Sequence, residues 1–105
     1  MAAFAWTVLQ LSGSLDTATT PSLRRRLHDG LRDASVGVIL DMIEVDLIDS
    51  SALGVVIICS QEAEDSGRQI RIVAPRGSAA AFALTLTGLR RRLAVFESHH
   101  AASYG

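Results

Sequence analysis

Val36-Gly37-Val38-Ile39-Leu40, then Asp49-Ser50-Ser51-Ala52-Leu53-Gly54, then Val55-Val56-Ile57-Ile58-Cys59 form the stretch on which the fold turns. A short, continuous apolar run is what a buried central strand presents. An acidic loop, Met42 to Asp49, follows it. An Asp, two hydroxyls and a second apolar run then read as the start of a helix, with a Ser at the N-cap accepting a hydrogen bond from an otherwise unpaired backbone N–H. The same position suits an anion, because free N–H groups and the helix dipole both favour negative charge there. An exposed Ser at that junction is a candidate phosphorylation switch. The plain alternative is an ordinary helix cap at Ser50, with Ser51 as the other candidate for either role.

Working outward, Phe4 to Leu11 alternates loosely and reads as a first strand ended by the turn signal Ser12-Gly13-Ser14. Thr19-Thr20-Pro21 offers a hydroxyl cap with Pro in the first turn of a helix whose face carries Leu23, Leu27 and Leu31, closing near Gly30 to Asp33. The second helix spans about Ser51 to Asp65 and stops at Gly67. Gln69 to Ala74 is a third strand, Ala79 to Leu86 a third helix stopped by Gly88, and Leu93 to Phe96 a last strand. Residues 97–105 read as a polar tail free to fray. The order β-α-β-α-β-α-β predicts one α/β domain over residues 1–105. Its sheet should be mixed but mostly parallel, four- or five-stranded, with three to four helices. In such sheets sites form where loops leave the carboxyl ends of strands. The loop Gly13-Ser14-Leu15-Asp16 should therefore lie beside the Met42 to Asp49 loop, bringing Asp16 near Ser50.

Composition narrows the function. The 105 residues carry a formal charge of −1 and are 49% apolar, with no apolar run long enough to span a membrane. No basic leader precedes the first patterned segment, so no signal peptide is expected. The balanced charge calls for neither nucleic acid nor anionic lipid. Arg24-Arg25-Arg26 and Arg90-Arg91-Arg92 read as solvated faces. The single cysteine, Cys59, is read as excluding an internal disulfide and any cysteine-based metal cluster; it reads as an inert core thiol in a reducing cytoplasm. His99-His100 lacks the further ligands that enclose an ion, and His28 has no evident partner. No nucleophile–base pair and no phosphate-cradling loop is present, so neither an enzyme, a cofactor nor a metal site is expected.

Three stretches resemble the STAS family, the domain named for sulfate transporters and anti-sigma factor antagonists: Gly13-Ser14-Leu15-Asp16, Leu40-Asp41 with Val45-Asp46-Leu47-Ile48-Asp49-Ser50-Ser51-Ala52-Leu53-Gly54, and Leu84-Thr85-Leu86-Thr87-Gly88-Leu89. More narrowly, the chain resembles a stand-alone bacterial anti-anti-sigma factor. Ala52 stands where Gly is commoner, and the region before Gly13 has room for one strand where many members fit two. The resemblance implies a cytoplasmic phosphoprotein, monomeric when free, that regulates transcription by partner switching. Unmodified, it would bind a GHKL-type anti-sigma factor that is also a serine kinase. Phosphorylation of Ser50 would end the complex, and a PP2C-type phosphatase would restore it. The expected partner surface is Asp16, Asp49, Ser50, Ser51, Ala52, Leu53, Gly54 and Val55, with Asp49 a local hydrogen-bond acceptor and Asp16 either a helix cap or a neighbour of the phosphosite. The rival readings are a STAS accessory subunit of a transport or stressosome-type complex with Ser50 unmodified, and a small-ligand or nucleotide sensor.

Overall fold

The leucines spaced four apart form the buried stripe of the first helix, α1 (Thr20–Asp33). It connects β1 (Phe4–Leu15) to β2 (Ala34–Ile48). The helix α2 (Ser50–Asp65) leads to β3 (Gln69–Val73), and α3 (Ala79–Leu86) leads through a 3-10 turn at Leu89–Arg91 to β4 (Ala94–Phe96). A short helix, α4 (His99–Tyr104), ends the chain. This computed structural model describes residues 4–104. The strands lie in the order β1-β2-β3-β4 and every pair is parallel, so the sheet is four-stranded and wholly parallel rather than mixed. Side chains alternate across it. Val38, Leu40 and Ile72 join the main core with α1, α2 and α3, while Ile39 and Val73 face the opposite side. That burial on both faces is why Val38 to Leu40 is uninterruptedly apolar.

Two sequence expectations need correction here. The first strand does not stop at Ser12-Gly13-Ser14, and Met42 to Ile48 is strand rather than loop. The β1–β2 register slips between Phe4 and Trp6, between Gln10 and Ser12, and between Gly13 and Ser14, and β2 carries one extra residue at each slip. Those three residues account for β2 being 15 residues long against 12 in β1. Bulges of this kind re-aim side chains. They let Val45 and Ile48, three apart, both reach the core while Asp46 and Leu47 stay exposed. Gly13 has φ 72°, so the turn signal is realised as a left-handed residue inside a paired strand. Ile43, Val45 and Leu47 alternate with Glu44 and Asp46, a strand-like pattern; reading the two acids as loop residues hid the strand.

The second correction concerns the tail. Instead of fraying, it folds as α4 across the second face of the sheet, where Ala102 is buried against Ile39 and Val73 with Trp6 and Phe96 alongside. The Arg71 guanidinium donates to the Ala102 carbonyl and lies over the rings of Trp6 and Phe96, 4.7 and 5.4 Å from their centroids. His99 Nε2 sits 2.8 Å from Asp41 Oδ2, and the other Asp41 oxygen accepts from the Ile43 N–H at 2.9 Å. Asp41 is buried, so these bonds satisfy a carboxyl group that would otherwise be costly to bury.

Two substitutions test this account. A Cβ at Gly37 would overlap the carbonyl oxygen of Gln69 on the neighbouring strand, with the Gln69 carbon and nitrogen at 2.8 and 2.9 Å. Gly37→Ala must therefore push β2 from β3, and should cost about 3 kcal/mol in urea unfolding. The cap of α2 is Asp49, whose Oδ1 accepts from the Ala52 N–H at 3.0 Å. Asp49→Ala should cost about 1 kcal/mol. Ser50→Ala, at the first helical position and outside the cap, should change stability by less than about 0.5 kcal/mol in the same measurement.

Candidate functional site at the paired strand ends

β1 and β2 end together, with Leu15 paired to Ile48. The next residue on each strand is an aspartate: Asp49 caps α2, whereas Asp16 closes a turn ahead of α1, whose N-cap position, Thr19, makes no side-chain cap bond, against the expected hydroxyl cap. Asp16 Oδ1 accepts from the Ala18 and Thr19 N–H groups at 3.0 and 3.2 Å, and its own N–H donates to Thr19 Oγ1 at 2.8 Å. Asp49 caps α2 directly, accepting from the Ala52 N–H. This corrects the expectation of a serine cap: Ser50 and Ser51 are the first two helical residues, and Asp49 is the acceptor.

The two loops are joined directly. The Asp49 N–H donates to the Leu15 carbonyl at 3.0 Å, and the hydroxyls of Thr17 and Ser51 lie 3.1 Å apart. Asp16, Thr17, Asp49, Ser50 and Ser51 thus share one end of the sheet, at the carboxyl ends of adjacent strands. Thr17 is the member that sequence reading missed. Its signal was present in the hydroxyl-rich run Thr17-Ala18-Thr19-Thr20, but only the loop-to-loop contact distinguishes it from its neighbours.

The two serines differ in surroundings. Both are exposed, yet the Ser51 hydroxyl is engaged by Thr17 and the Ser50 hydroxyl bonds no other described residue. Three carboxylates belong to this end: Asp16 and Asp49 at the turns, and exposed Asp46 near the end of β2. Among the described residues no arginine pairs with any of them.

Of the expected partner surface, Ala52, Leu53 and Val55 are 0%, 3% and 6% exposed, and their side chains belong to the core. The outward line on α2 runs instead through Ser50, half-buried Gly54 and Ile58, which is 46% exposed. These are four residues apart and lie on one helical face. A Cβ at Gly54 would meet nothing within 4 Å, so this glycine answers to no packing demand within the chain.

Further along α2, Cys59 is buried, and its thiol is pushed above its ordinary range. Burial is the main cause and the Glu62 carboxylate adds to it, while Arg24 opposes. His28, expected to have no partner, has two: its Nε2 lies 3.6 Å from Glu62 Oε2 and 4.0 Å from Cys59 Sγ.

The comparisons with known proteins agree with this architecture. Among solved structures, a Thermotoga maritima protein assigned as an anti-sigma factor antagonist superposes with a TM-score of 0.80 at 22% identity, covering 95% of this chain and 86% of that one. A sulfate transporter family protein from Wolinella succinogenes gives 0.77 at 18% identity, covering 99% and 87%. The anti-sigma factor antagonist SpoIIAA in its unphosphorylated form gives 0.71 at 16% identity, covering 99% and 90%. At these identities the likeness is one of fold. A search of curated sequences finds no match. The family model described as the STAS domain matches residues 4–102, and the chain therefore belongs to the STAS domain family.

Proposed function

We propose that this protein is an anti-sigma factor antagonist, a regulator rather than an enzyme, and that it is switched by phosphorylation of Ser50. Its unmodified form binds a GHKL-type anti-sigma factor with serine-kinase activity and so frees a sigma factor. Phosphorylated, it lets go, until a PP2C-type phosphatase removes the group. Solved structures described as anti-sigma factor antagonists share the fold and support the reading. The observation that carries it is the setting of Ser50: an exposed hydroxyl without a partner among the described residues, on the first turn of α2, beside carboxylates that no arginine neutralises.

The chemistry follows from charge. A phosphate adds about −1.5 to −2 charges at neutral pH. On the chain's own side, the N-terminal end of the α2 dipole tolerates it, so the domain keeps its fold. On the partner's side, a surface fitted to a neutral hydroxyl must desolvate a dianion next to Asp16, Asp46 and Asp49. A loss of about 3 kcal/mol would weaken the complex roughly a hundredfold. The contact surface in this reading is Asp16, Asp49, Ser50 and Ser51 with Gly54 and Ile58 below them on the α2 face. The free protein acts as a monomer in the cytoplasm; no helix among the described residues is long and apolar enough to cross a membrane.

A second reading has its own support. The Wolinella succinogenes structure is a sulfate transporter family protein, which supports reading this chain as an accessory subunit of a transport or stressosome-type assembly with Ser50 unmodified. The two readings separate in an affinity capture from native lysate with Ser50→Ala and Ser50→Glu as baits. Partner switching predicts a small ATPase-type kinase enriched on the alanine bait and depleted at least tenfold on the glutamate bait. Equal capture of transporter or large-complex subunits by both would establish the accessory-subunit role. Ile58→Glu, on the exposed face and away from the phosphosite, should weaken kinase capture while leaving the fold intact by circular dichroism.

A further inference from the structure

His28 on α1 and Cys59 and Glu62 on α2 converge where the two helices pack, with one donor atom from each within 4.8 Å of the others. Cys59 and Glu62 are three residues apart and so face the same way on their helix. The same histidine atom, Nε2, addresses both partners, at 4.0 Å from the sulfur and 3.6 Å from the carboxylate. We propose that His28, Cys59 and Glu62 form a zinc-class metal site that ties α1 to α2.

The donor set is a nitrogen, a thiolate sulfur and a carboxylate oxygen, the three ligand types that Zn2+ accepts. Tetrahedral zinc, with bonds of about 2.3 Å to sulfur and about 2.0–2.2 Å to nitrogen and oxygen, places its ligand atoms about 3.4–3.6 Å apart. The histidine distances need to contract by only a few tenths of an ångström. Glu62 is exposed and can make the larger adjustment by turning its side chain. An open cavity of about 330 Å3, lined by His28, Leu31, Arg32, Glu62, Ser66 and Arg68, gives solvent access to the histidine and the carboxylate, while Cys59 is buried. Three protein ligands leave a fourth position for water. On binding, the S–H bond of Cys59 is replaced by a metal–sulfur bond and the proton leaves to solvent. Arg32 of the cavity wall is paired with Asp29.

The test uses the full chain and Co2+ as a spectroscopic stand-in for zinc. Cys59 is the sole cysteine, so a thiolate-to-cobalt charge-transfer band can arise only from it. The expected result is one equivalent of Co2+ producing that band, with Zn2+ displacing it and raising the melting temperature. His28→Gln and Glu62→Gln, both at positions reached by solvent, should each weaken binding at least tenfold. His100→Ala, in α4, should leave the band unchanged. Absence of the band overturns the proposal, as does a band whose affinity neither His28→Gln nor Glu62→Gln alters. Because this readout involves no partner protein, it stands or falls independently of the Ser50 switch.

Discussion

The parallel pairing of β1 with β2 along their whole lengths is the constraint from which the rest of the molecule follows. Its last rung, Leu15 with Ile48, sets two aspartates side by side, one closing the turn that leads to α1 and the other capping α2. The Asp49 N–H to Leu15 carbonyl bond closes that end of the ribbon. Three extra residues in β2 are absorbed on the way, and the last two slips re-aim the strand so that Val45 and Ile48 still reach the core. Had β2 ended where its apolar run ends, a long loop would have separated the core from Ser50. The bulged strand instead delivers that serine to a fixed place on the surface.

Division of labour along α2 follows from its position. One face must cover the sheet and meet α1, which accounts for Ala52, Leu53, Val55, Val56 and Cys59. The remaining face is free of packing duty. An apolar residue there, such as Ile58, contributes little to the monomer, since the stabilisation of about 1.5–3 kcal/mol that a buried aliphatic side chain brings is not realised at an exposed site. A serine at the first helical position, with the cap supplied by its neighbour, is similarly spare. Residues that the fold does not need are the ones available to a partner.

The opposite face of the sheet and the α1–α2 seam show the same economy of polar groups. Buried Asp41 is reconciled with its surroundings by His99 and a backbone N–H, which docks α4. His28, Glu62 and Cys59 meet in the seam at distances a small ion could bridge. In both places the partners come from distant parts of the chain: 41 with 99, and 28 with 59 and 62.

Local pattern alone determined most of this protein. The leucine stripe of α1, the apolar run of β2, the bounds of α3 and the Asp49-Ser50-Ser51 start of α2 were all readable, because helix period, turn chemistry and strand burial write themselves into neighbouring residues. So was the meeting of the two loops, since a parallel sheet places successive strand ends together. What only the tertiary structure decided depended on pairing between remote segments. Residues 43–47, where two acids suggest a loop, became strand because β1 supplied backbone partners, and the tail became helix because Ala102 found a hydrophobic seat and His99 a buried carboxylate. Asp49 rather than Ser50 took the cap, since either side chain satisfies the motif and only the backbone path chooses between them. The grouping of His28 with Cys59 and Glu62 was equally invisible, because the spacing of ligands along a chain carries no distance until two helices are packed.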